Sequence, residues 1–173
     1  MTSRAAALAS LLDASTPAEL VAARRDLERA AGGMLAVYTD EERAALLVSR
    51  AWVVESTRWD AGELRAVDPE GELSETDAAE ALAEIERADR LGAWERARVI
   101  GAYPTEAMAL QAAREGIAGL RDRLLAEAPG DKIAAECLRL AADGLSLRWQ
   151  PEDDPSSAQW AELVRVRRAS ERE

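Results

Sequence analysis

The chain has 173 residues, 48% of them hydrophobic, enough for one domain with a sizeable core. Its 33 Asp and Glu against 22 Lys and Arg give a formal charge of −11, so it repels nucleic acid at long range. With no His and a single cysteine, Cys137, it cannot form histidine-dependent triads, Cys/His nucleophiles, Cys/His zinc sites or an intramolecular disulfide.

In chain order, residues 3–14 read as a first Ala/Leu helix. Thr16-Pro17 reads as an N-cap with proline at the first helical position, opening a helix over "PAELVAARRDLERAA" that stops at Gly32-Gly33. "MLAVY" is a short apolar connector. Thr39 and Glu42 have capping-box spacing and open a long helix expected to reach about Trp59. Residues 60–73 form an acidic loop, and Ser74 begins an acidic helix ending near Gly92. "AWERARVIGAY" is expected as a short helix cut by Pro104. A long helix follows from about Thr105 to Ala128, with Leu110, Ala113, Ile117, Leu120 and Leu124 as its seam. Asp131 caps a further helix to Gln150, "PEDDPSS" is a loop, and a last helix carries Trp160, Leu163 and Val164.

The expected architecture is therefore all-α: a single domain, 1–173, built as a multi-helix bundle of about eight helices. It divides into N-terminal helices (1–59), the acidic loop (60–73) and a second helical region (74–173). In the 131–150 helix, Ile133, Cys137, Leu140, Gly144 and Leu147 form one stripe beside Ala134, Leu138, Ala141 and Leu145. Together these exceed the roughly 100° face of a surface helix. Gly144 is read either as the site of a close helix crossing or as a kink.

The strings "GDKIAAECLRLAADGLSLRWQPEDD…AQWAELVRVRRA" and, before them, "YPTEAMALQAAREGIAGLRDRLLAE" resemble the end of the ligand-binding domain of TetR-type repressors, over about residues 93–170. That resemblance implies a homodimer in which the faces around Cys137, Leu140, Gly144, Leu147, Trp160 and Val164 meet a second copy. It also implies a pocket for a small hydrophobic ligand inside the preceding helices. Residues 1–70 contain no basic helix-turn-helix string, so direct binding to nucleic acid is not expected.

Three further features bear on function. Trp52, Trp59, Trp94, Tyr103 and Met108 are either core filling in a chain without Phe or the lining of an apolar cavity, with Glu55 or Arg58 orienting a ligand's polar end. Residues 60–91 hold eleven Asp/Glu and three Arg, a net −8. This is either a solvated face or a surface for a basic protein partner, an inhibitor or DNA mimic, centred on Glu70, Glu72, Glu75, Glu80 and Glu84. Arg165, Arg167, Arg168 and Arg172 form a small basic face, solvated or paired with Glu162 and Glu171.

No metal or cofactor is expected. "DPEGELSETDAAE" has its glycine at the fourth place rather than the sixth of a calcium loop and no Glu at the twelfth, and "AAGGM" lacks the spacing and lysine of a phosphate loop. A carboxylate-only site is the remaining catalytic option, and the leading expectation is a non-catalytic protein. "AAALASLL" is too short to span a membrane and ends in Asp13, and no membrane partner is expected. With the lone thiol, this points to the cytoplasm.

Overall fold

A computed structural model describes residues 3–60, 70–89, 94, 97–151 and 158–171. Among these, six α-helices accompany a five-stranded antiparallel sheet. The fold is α/β, and the all-α bundle of eight helices is corrected accordingly. The helices are α1 (Arg4–Asp13), α2 (Pro17–Ala31), α3 (Asp40–Val48), α4 (Glu75–Asp89), α5 (Glu106–Glu127) and α6 (Lys132–Cys137). The strands are β1 (Trp52–Asp60), β2 (Arg98–Tyr103), β3 (Leu138–Leu140), β4 (Ser146–Trp149) and β5 (Trp160–Arg168), in the sheet order β2-β1-β5-β4-β3.

The chain forms two compact units, each discontinuous in sequence: Met1–Val54 with Val99–Ala112 and Val166–Glu173, and Glu55–Arg98 with Ala113–Arg165. These do not follow the boundaries expected at 59/60 and 73/74, and residues 61–69 of the expected acidic loop lie outside the described residues.

In the first unit, α1 packs on α2 and α3. Ala7 and Leu11, four residues apart, meet the α2 stripe of Leu20, Ala23 and Leu27, and all five are buried. The ends of α2 are fixed chemically. Thr16 Oγ1 accepts from Glu19 N–H at 3.3 Å, while Glu19 Oε2 accepts from Thr16 N–H at 3.1 Å. The hydrogen bonds from Ser15 and Thr16 lower the Glu19 pKa. Gly32 closes the helix at φ 105°, a left-handed position that only glycine takes without strain.

The second capping box forms as expected at Thr39 and Glu42. Arg4 from α1 adds two hydrogen bonds to the Glu42 carboxylate, at 2.5 and 2.6 Å, so the box also ties α1 to α3. Glu42 is 2% exposed, and this guanidinium, with the Thr39 N–H, lowers its pKa to about 2.

The sheet is where sequence expectation fails. The helix expected over 39–59 stops at Ser49, and Trp52 starts a strand. "WVVESTRW" is rich in β-branched and aromatic residues, which suit a pleated, half-buried surface better than a helix. "RVIGAY" is strand β2 rather than a short helix, and β5 replaces the last helix. In "VRVRR" apolar and charged residues alternate with a period of two.

The helix expected over 131–150 is instead one short helix and a hairpin. Asp131 caps α6, its Oδ1 accepting from Ile133 N–H at 2.9 Å and Ala134 N–H at 3.1 Å. The chain then turns extended at Leu138, and β3 pairs with β4 through Leu138↔Trp149, Arg139↔Arg148 and Leu140↔Leu147. Gly144 makes the turn at φ 74°, its N–H donating to Ala141 O at 3.0 Å. Neither a helix crossing nor a helix kink explains this glycine; a hairpin does. β4 pairs with β5 through Ser146↔Leu163, Leu147↔Glu162, Arg148↔Ala161 and Trp149↔Trp160.

Candidate functional site

Side chains of a strand alternate between faces, so Trp52, Val54, Ser56 and Arg58 of β1 share one face and Val53, Glu55 and Thr57 the other. This alternation sorts the residues expected to line a ligand cavity. Glu55, 5% exposed, accepts from Arg165 Nε of β5 at 2.8 Å. The same guanidinium lies over the Trp94 ring, 4.3 Å from its centroid. A buried carboxylate, a half-buried guanidinium and a buried indole thus form one cluster in the second unit. The Trp94 indole nitrogen is buried and has no hydrogen-bond acceptor among the described residues.

Arg58 leaves that group and stacks on Trp160 at 4.5 Å, while Ser56 Oγ donates to Glu162. Trp160 is the cross-strand partner of Trp149 in the β4–β5 ladder, so both indoles lie on the face that holds Arg58. Trp52 belongs to the first unit, where Arg168 lies 5.2 Å from its ring. Tyr103 and Met108 are buried in that unit too. The side chain of Trp59 lies outside the described residues. The expected lining set is therefore split between two units, and only Glu55 and Trp94 share a cluster.

The missed member of that cluster is Arg165. The sequence places it with Arg167 and Arg168 as one basic face, but alternation along β5 separates Arg165 and Arg167 from Arg168. Arg167 caps the strand end instead, donating to Glu171 O at 2.7 Å. "VRVRR" after "WVVESTRW" carries the signal, since two strands of opposite charge pattern can pair.

Of the residues expected at a dimer interface, Cys137 ends the short helix α6, and the others lie on the β3–β4 hairpin and on β5 rather than on paired helices. Cys137, Leu147 and Val164 are buried in their own chain, Trp160 is half-buried, and Leu140 is exposed. Gly144 faces Arg114, and an added Cβ would sit 3.0 Å from its Cγ.

Part of the acidic segment lies on one helix, α4. Ser74 caps α4, its Oγ accepting from Asp77 N–H at 3.2 Å. Asp77, Glu80 and Glu84, spaced to share one face of the helix, are all exposed. With Ala81 and Ala83 they line an open depression of ≈ 490 Å³. Glu70 and Glu72 are exposed ahead of the helix; the side chain of Glu75 lies outside the described residues.

Among the described residues, no group of three His, Cys, Asp or Glu could hold a metal ion, and no helix is long and apolar enough to cross a membrane. The chain matches no protein-family model, and no curated protein or solved structure is significantly similar to it.

Proposed function

We propose that the protein is a non-catalytic interaction module whose acidic α4 surface captures a basic protein partner. The observation that carries this reading is the alignment of Asp77, Glu80 and Glu84 on one exposed helix face around a depression floored by alanines. Long basic side chains lay their stems on such a floor and place their charged ends against carboxylates. The field around this helix steers cationic surfaces in and turns nucleic acid away, so the natural partner is a basic face of the kind that binds an anionic backbone. The single thiol, Cys137, is buried and free, which suits a cytoplasmic setting.

The test is binding of an arginine-rich peptide to the full chain and to a variant with Glu70, Glu72, Glu75, Glu80 and Glu84 changed to Lys. Capture is expected to disappear in the variant and to weaken with salt in the wild type, as the screening length shrinks below about 8 Å. Equal binding by both proteins overturns the reading.

A second reading, a small apolar ligand bearing one acceptor atom, is favoured by the indole N–H of Trp94, buried beside Glu55 and Arg165 and without an acceptor among the described residues. The paired helices implied by the TetR-type resemblance are not formed, so this reading stands on the Trp94 cluster alone. Quenching of tryptophan fluorescence by a panel of apolar ketones, lost in Trp94→Phe, supports it. A panel without effect removes it.

A further inference from the structure

The two edges of the sheet differ in how they are protected. β3, at one edge, is three residues long and carries Arg139 at its centre, the short and charged form that discourages pairing with another strand. β2, at the other edge, is six residues long, "RVIGAY", and no described strand lies beyond it. Its one charge is at its first residue, Arg98, and Pro104 falls just past its end. Val99 and Ile100 are 59% and 54% exposed, and as neighbours on a strand they point to opposite faces. The edge is thus apolar on both faces, with no lysine or internal proline to blunt it.

We infer that β2 pairs with β2 of a second copy, antiparallel about a two-fold axis, joining the two sheets edge to edge. Three observations select a second copy as the occupant. An antiparallel partner continues the antiparallel arrangement of the sheet. Two-fold antiparallel pairing sets the two Arg98 side chains at opposite ends of the joint, so the strand's only charge meets no like charge.

The third observation is charge. The unit holding Val99–Tyr103 has ten acidic against nine basic residues, a net −1, whereas the other has 23 against 13, a net −10. Self-repulsion is smallest at the near-neutral unit, and a strongly charged partner has no complement there. A joint of one strand pair and two apolar side chains per copy is small, so the association is weak and depends on concentration.

Sedimentation velocity on the full chain, from about 10 μM to about 1 mM, tests this. A dimer is expected to grow in with concentration, while the amides of residues 98–103 become protected from hydrogen exchange in parallel. Ile100→Lys and Val99→Lys each add charge beside the joint, on opposite faces, and are expected to raise the dimer dissociation constant at least tenfold.

Leu35→Lys supplies the comparison, because Met34 and Leu35 are each 96% exposed and form a rival apolar surface. It is expected to leave the dimer intact. Far-UV circular dichroism confirms that each variant is folded, and the exchange measurement on wild type needs no variant. A monomer throughout, a dimer indifferent to both β2 lysines, a dimer lost only in Leu35→Lys, or unchanged protection at residues 98–103 overturns the inference.

Discussion

Replacing Gly144 with alanine discriminates between two backbone states by the sign of its effect. In the hairpin, Gly144 sits at φ 74°, where an L-residue brings its Cβ against the carbonyl at a cost of about 1–2 kcal/mol. The new methyl also stands 3.0 Å from Arg114 Cγ, part of a flexible side chain that donates from Nε to Asp143 O at 2.9 Å. A shift of a few tenths of an ångström relieves that contact, so backbone strain dominates. In a helix interior the same change would stabilise by about 1 kcal/mol. Urea denaturation reads the difference. With a slope of about 2 kcal/mol per molar, Gly144→Ala should lower the midpoint by about 0.5–1 M. Gly144→Asn should lower it less, because asparagine tolerates the left-handed region. In an Arg114→Ala background, most of the loss should persist. A midpoint unchanged or raised by alanine would refute the turn.

Other expectations follow from the same reasoning. Glu42 titrates near 2 when folded against an ordinary 4.5, so its contribution is complete above about pH 4.5 and is lost as pH falls toward about 2. Thermal melting in that window should flatten with pH in Glu42→Gln. Leu27→Ala, at a fully buried position where α2 meets α1, should cost about 2–5 kcal/mol in chemical denaturation. Arg165→Leu removes the guanidinium from buried Glu55 and from Trp94, and should cost about 3–5 kcal/mol. Adding Glu55→Leu should restore much of that loss, which a double-mutant cycle measures.

The helical part of the fold was legible because its signals are local. Thr16-Pro17, Thr39 with Glu42, Ser74 and Asp131 each mark a helix start through a side chain that reaches its own backbone, and each start is found in the structure. The sheet was not legible for two reasons. An alanine-rich composition without Phe favours helices at every position, and short strands carry apolar spacings that a helix also fits. Yet "LRLAADGLSLRW" holds Asp143-Gly144 between alternating residues, the strongest short-range hairpin signal, and "WVVESTRW" shows strand chemistry. Reading Gly144 as a gap between helices hid the first, and extending the helix from Thr39 hid the second. The candidate site was legible only where it is local. The acids of α4 lie together because helical periodicity puts them there. The Glu55–Arg165–Trp94 stack joins residues from three separate segments, and no spacing rule connects them.

The strand order carries a consequence for synthesis. β5 is last in the sequence yet lies between β1 and β4 in the sheet. While the ribosome is still making residues 160–168, β1 lacks one neighbour and β4 lacks another, so a nascent chain holds two open half-sheets. These can join only when β5 emerges. Closing contacts so distant along the chain is slow, and each half exposes a sticky flank meanwhile. Stalling or truncation before residue 160 should thus be the point of greatest hazard for this polypeptide, where a chaperone matters most.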